Sequence, residues 1–102
     1  MTFRLVTTPE AEGQIRAIDA WWRENRTASP NLFSEELASI FELLASTPYI
    51  GRTYRHATVK DVRRVLLRST RYHTYYVVHD DAVIVLSVWS AVRRTGPDLT
   101  GL

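Results

Sequence analysis

Three features of the chain predict an α+β domain. Residues 62–89, VRRVLLRSTRYHTYYVVHDDAVIVLSVW, hold three runs rich in β-branched and aromatic residues, separated by short polar breaks at 69–70 and 79–82. Each break is long enough for a hairpin turn, so the runs read as an antiparallel meander. Upstream lie two stretches of helical periodicity, each opened by a hydroxyl residue followed by proline, and ahead of them a short alternating run at the N-terminus. The predicted architecture is an N-terminal β-strand and an antiparallel helical hairpin packed on a small antiparallel sheet with a C-terminal three-stranded meander. At 102 residues the chain makes one domain, 1–102, with a core over 1–92 and a basic, flexible tail over 93–102.

In the N-terminal run, Phe3 and Leu5 alternate with Arg4 and Val6, the pattern of a strand at an edge or paired with a later one. Thr8, then Pro9 and Glu10, reads as an N-cap, a proline in the first helical position and an acid in the first turn. Ala11, Ile15, Ile18 and Trp22 form an apolar stripe with Trp21 at its margin, and the helix is expected to end within 25–28. Ser29 and Pro30 repeat the opening signal. Phe33, Leu37, Phe41 and Leu44 give the second stripe, which Thr47 and Pro48 terminate. Residues 49–60 show no sustained period and read as a connecting loop.

Within the meander, Val62, Arg64, Leu66 and Arg68 alternate with Arg63, Val65 and Leu67. Tyr72, Thr74, Tyr76 and Val78 oppose His73, Tyr75 and Val77, and Val83, Val85, Ser87 and Trp89 oppose Ile84, Leu86 and Val88. Both faces are apolar, so one is expected to meet the helices and part of the other a partner.

The net charge of +2 conceals an asymmetry: residues 1–51 carry −3 and residues 52–102 carry +5. Residues 52–71 hold seven basic groups and one acid, Asp61, a field that draws phosphates or an acidic protein. Twelve of the thirteen basic residues are arginines, suited to gripping phosphate or carboxylate and unsuited to shuttling protons. No cysteine is present, which excludes disulfides, thiolate metal sites and cysteine nucleophiles. With no long apolar run and no leader-like start, a soluble cytoplasmic protein without membrane contact is expected.

Arg63, Arg64, Arg68, Arg71, Arg93 and Arg94 are the candidate target- or phosphate-binding residues; the competing reading is a solubilising edge paired with Asp61, Asp80 and Asp81. Tyr72, Tyr75, Tyr76 and Trp89 beside arginines suit base stacking, or packing between strands, and Trp21 and Trp22 suit core or partner contacts. Trp21, Trp22, Tyr72, Tyr76 and Trp89 are the candidate partner-binding set. Of His56, His73 and His79, His73 is best placed for proton transfer, between Arg71 and Tyr75. Nothing in the sequence supports a metal site, a nucleotide loop or any other cofactor.

The helical hairpin ending in Pro48, Gly51-Arg52, Val62-Arg63-Arg64, the run from Thr70 through Arg71, Tyr72, His73, Thr74 and Tyr75 to Tyr76, and the apolar stretch 83–89 before Arg93 together resemble the RelE/ParE superfamily of type II toxins, especially its ParE-like branch. The resemblance spans nearly the whole chain. It implies a growth-inhibiting toxin made with a cognate antitoxin, which lays a segment over the toxin and itself contacts operator DNA. It also implies one of two targets: DNA gyrase in the ParE-like branch, or ribosome-bound messenger RNA, cleaved by the RelE-like ribonucleases. For a ribonuclease the residues would be Arg68, Arg71, His73 and Arg93. The single lysine and the lack of any tyrosine after Tyr76 depart from the ribonuclease pattern and favour the gyrase-directed branch. A non-toxic protein- or nucleic-acid-binding module is the remaining alternative.

Overall fold

The computed structural model describes residues 2–99. Its elements run β1 (Arg4–Thr7), α1 (Pro9–Asn25), α2 (Leu32–Ser46), β2 (Arg52–Thr53), β3 (Arg63–Leu67), β4 (Tyr72–His79) and β5 (Ala82–Ser90). They build one sheet in the order β1-β5-β4-β3-β2 under a helical hairpin. The meander β3-β4-β5 is antiparallel, as the turn signals require. β1 pairs parallel with β5, Arg4 opposite Ala82 and Thr7 opposite Val85, so the sheet is mixed. The two helices form the long crossover that a parallel pair needs.

Local chemistry sets the boundaries. The Thr8 hydroxyl accepts the Ala11 amide at 3.2 Å with Pro9 at the first helical position, so α1 begins where its capping signal lies. α2 begins two residues later than its Ser29-Pro30 signal predicts. The Ser29 amide bonds back to the Arg26 carbonyl and the Leu32 amide to the Ser29 carbonyl, which places Ser29 and Pro30 inside the interhelical turn. Both stripes face the sheet: Ala11, Phe33, Leu37, Leu67, Val85 and Val88 are buried together, with Ile15, Ile18, Trp22 and Phe41 packed on them.

The strand faces follow the alternation except in β5. Tyr75 pairs with Ser87 but Tyr76 with Val85, so a β-bulge at Leu86 shifts the phase. Val88 therefore joins Val85 under the helices, and Trp89 emerges on the far face, the reverse of the strict alternation. Gln14 of α1 secures the bulge. Its Oε1 accepts the Ser87 hydroxyl at 3.0 Å and the Val88 amide at 2.9 Å.

The far face is covered by the chain itself more fully than the alternation suggests. Val62, Tyr75, Leu86 and Leu99 are buried together there, with Tyr54 and Val59 packed against them. Two expectations change as a result. The segment 49–60 contributes strand β2 and a flap over the sheet, and the segment after β5, though without regular structure to residue 99, returns across the sheet to bury Leu99 at 2% exposure. Residues 100–102 of the tail lie outside the described residues.

Candidate functional site

Two clefts flank the end of β5. The first, on the far face, encloses about 210 Å³ and is lined by Tyr54, Arg64, His73, Tyr75, Trp89 and Arg93, with Arg94 at its edge. Cross-strand pairing assembles it, placing Arg64 beside Tyr75 and His73 beside Trp89. The Arg64 guanidinium donates to the Tyr75 hydroxyl at 3.4 Å and lies 5.0 Å from the Tyr54 ring centre. Arg93 stacks 4.7 Å over Trp89, whose indole N–H donates to the Thr95 carbonyl at 2.8 Å. These rings hold guanidinium groups at fixed positions without neutralising them.

Among the described residues, no carboxylate is ion-paired to Arg63, Arg64, Arg68, Arg71, Arg93 or Arg94. Asp81 pairs instead with Arg4 at 3.2 Å, and Asp80 lies 3.4 Å from His79. The cleft thus keeps its positive charge for an external anion. His73 stands in this field: burial, then the charges of Arg64 and Arg71, push its imidazole below the usual histidine range. A neutral ring follows at neutral pH, able to accept a proton.

The remaining candidates separate by position. Arg68 and Arg71 are exposed at the β3–β4 turn, with Arg71 at a φ of 67° in the left-handed region. Arg63 is strapped to the preceding loop, donating to the carbonyls of Tyr49 at 3.2 Å and Gly51 at 2.8 Å, and does not line the cleft. Tyr76 cannot contact a partner. It is fully buried, and its hydroxyl accepts the Gly51 amide at 2.8 Å. Tyr72 likewise serves the interior, bonded by the Trp22 indole at 3.2 Å and set edge-on to Phe33. Trp21, 44% exposed, and Trp89 remain available to a partner.

The second cleft is a groove of about 430 Å³ between α1 and the end of β5, walled by Ala17, Ile18, Trp21, Val88, Trp89 and Arg93. Arg26 stacks 4.9 Å over Trp21 on its helical side.

Two functional residues escaped the sequence reading. Tyr54 sits in the aperiodic segment, where only its place among basic residues marks it. Glu36 of α2 holds the β3–β4 turn, accepting the amides of Ser69 at 2.8 Å and Thr70 at 3.0 Å and the Thr70 hydroxyl at 2.6 Å. Its signal is an acid beside the apolar stripe of α2 facing a Ser-Thr turn.

The model of the family described as the ParE toxin of the type II toxin–antitoxin system parDE matches residues 5–94. The chain belongs to this ParE toxin family. It is thereby a toxin-type member of the RelE/ParE superfamily. No curated protein matches it in sequence. Among solved structures, the chromosomal ParDE system of P. aeruginosa is similar at 16% identity and a TM-score of 0.60, over 87% of this chain and 96% of that one. A free double arginine-to-alanine variant of the E. coli toxin RelE is 24% identical at a TM-score of 0.55, over 90% of this chain and 86% of that one. The intact E. coli RelBE toxin–antitoxin complex contains a chain 22% identical at a TM-score of 0.53, over 89% of this chain and 99% of that one. These likenesses establish that this ParE-family chain shares their fold. Among its described residues no helix is long and apolar enough to cross a membrane.

Proposed function

We propose that this ParE-family protein is the toxin of a type II toxin–antitoxin pair, that it arrests growth in the cytoplasm by inhibiting DNA gyrase, and that a cognate antitoxin neutralises it. The observation that carries this reading is the ParE family match over residues 5–94. The far-face cleft supports it chemically. Its cations are held by stacking and left without acidic partners, an arrangement suited to gripping an acidic surface or a phosphate backbone. Inhibition by binding requires no proton transfer. Titrating purified gyrase with the protein should stop supercoiling, and addition of the antitoxin should restore it; full supercoiling at toxin excess sinks the proposal.

One observation favours a second reading, cleavage of ribosome-bound messenger RNA. His73, held toward its neutral form, shares the cleft with Arg64, Arg93 and the phenols of Tyr54 and Tyr75. A base, potential acids and fixed cations are the elements of metal-free phosphodiester cleavage. His73→Phe separates the two. Gyrase inhibition survives loss of the imidazole, whereas cleavage, read by primer extension on translated messenger RNA, does not.

A further inference from the structure

The groove and the far-face cleft lie on opposite sides of β5, yet Trp89, Ser90 and Arg93 line both. The bulge at Leu86 brings this about. It moves Trp89 out of the helix-facing phase to the border between the two spaces, where Arg93 stacks on its ring. Anything seated in the groove therefore touches two groups that the cleft also uses.

The groove has a definite chemistry. Ala17, Ile18, Trp21, Val88 and Trp89 supply apolar wall, and its only charged lining residue among those described is Arg93. Arg26 lies beyond Trp21, so each end carries a guanidinium stacked on tryptophan. Its helical wall runs from Gln14 to Trp21, two turns of α1 or about 10 Å, enough for apolar side chains three or four residues apart on a docked helix. Apolar walls between two cations complement an amphipathic segment that carries acids at its ends.

Building on the antitoxin part of the proposed function, we propose that this groove seats an acidic amphipathic helix of the cognate antitoxin, and that its carboxylate engages Arg93 and so withdraws the Arg93–Trp89 pair from the far-face cleft. Neutralisation then needs no coverage of Arg64 or His73. It acts through the one stacked pair that both spaces share.

The test uses the full-length chain and, as its partner, the purified product of the adjacent reading frame. Ala17 is exposed on α1, so Ala17→Glu puts a negative charge in the groove without disturbing the core. Affinity should fall about tenfold or more, equivalent to roughly 1.4 kcal/mol, with circular dichroism unchanged. Arg93→Gln should weaken binding and flatten its salt dependence. The three tryptophan indole resonances give a readout that depends less on affinity: those of Trp21 and Trp89 should shift on binding, and that of Trp22, tied to Tyr72 beneath the helix, should stay. Undiminished binding by Ala17→Glu, or a stationary Trp89 resonance, overturns the groove seat while leaving the toxin–antitoxin reading intact. Absence of any binding by the wild-type chain overturns both.

Discussion

Replacing Glu36 by alanine tests how the arginine-bearing β3–β4 turn is held. The carboxylate accepts three hydrogen bonds from Ser69 and Thr70 at 2.6–3.0 Å, bridging α2 to the turn that carries Arg68 and Arg71. Ser69 is exposed and water can replace its bond. Thr70 is buried, so its amide and hydroxyl lose their acceptor. Bonds to a charged acceptor are worth about 1.5–3 kcal/mol and an orphaned buried donor costs about the same, so partial hydration leaves a net loss of about 2 kcal/mol. Unfolding entropy near 2.1 cal/mol/K per residue converts this, for 102 residues, to a fall in Tm of roughly 10 °C. Burial pushes the Glu36 pKa up, but the hydrogen bonds from Thr70 and Ser69 outweigh it and the carboxyl titrates below its ordinary value. A carboxylate with a depressed folded pKa stabilises above the unfolded value, about 4.3, and that stability is lost as pH falls through the folded value. In thermal melts, wild type and Glu36→Ala should be separated at neutral pH and converge in acid. Equal Tm values at neutral pH, or a gap that persists unchanged into strong acid, would refute the clamp.

Further outcomes follow from the same packing. A Cβ at Gly51 collides with the buried Tyr76 hydroxyl, so Gly51→Ala should destabilise by about 2–3 kcal/mol, and removing that oxygen in the Gly51→Ala, Tyr76→Phe double variant should recover part of the loss in denaturant melts. Leu99→Ala should cost about 2–4 kcal/mol, since Leu99 closes the core on Val62, Tyr75 and Leu86; a change under about 0.5 kcal/mol would return the tail to solvent. Burial and the charges of Arg64 and Arg71 depress the His73 pKa, so the unfolded chain binds this proton more readily. Stability is therefore full above about pH 6.5 and declines as pH falls through the interval below it. His73→Gln should flatten that decline; an unchanged profile in urea titrations contradicts the buried, cation-flanked imidazole.

The helices and meander were legible because their signals are local. Thr8-Pro9 and the two apolar stripes require only neighbouring residues, and the breaks at 69–70 and 79–82 lie where the turns form. What escaped depends on contacts distant in sequence. The parallel seat of β1 needs β5, 78 residues further along at Arg4 and Ala82, and the bulge that turns Trp89 outward is set by pairing with β4. Tyr76 reads as a partner contact until its hydroxyl is found capping Gly51, and the far face reads as bare until Tyr54 and Leu99 cover it. Arg64, His73 and Arg93 converge on one cleft as their chemistry suggested. Arg63 does not, because adjacent strand residues point to opposite faces.

The central claim is that unpaired guanidinium groups in the far-face cleft carry the inhibitory activity of this ParE-family toxin. Supercoiling by purified gyrase, measured against increasing toxin for wild type and for a folded Arg64→Ala, Arg93→Ala variant, tests it most directly. Inhibition by the wild type that shifts to at least about tenfold higher concentration in the variant is the predicted result, a loss of roughly 1.4 kcal/mol or more. Coincident inhibition curves, or no inhibition by either protein, would contradict it.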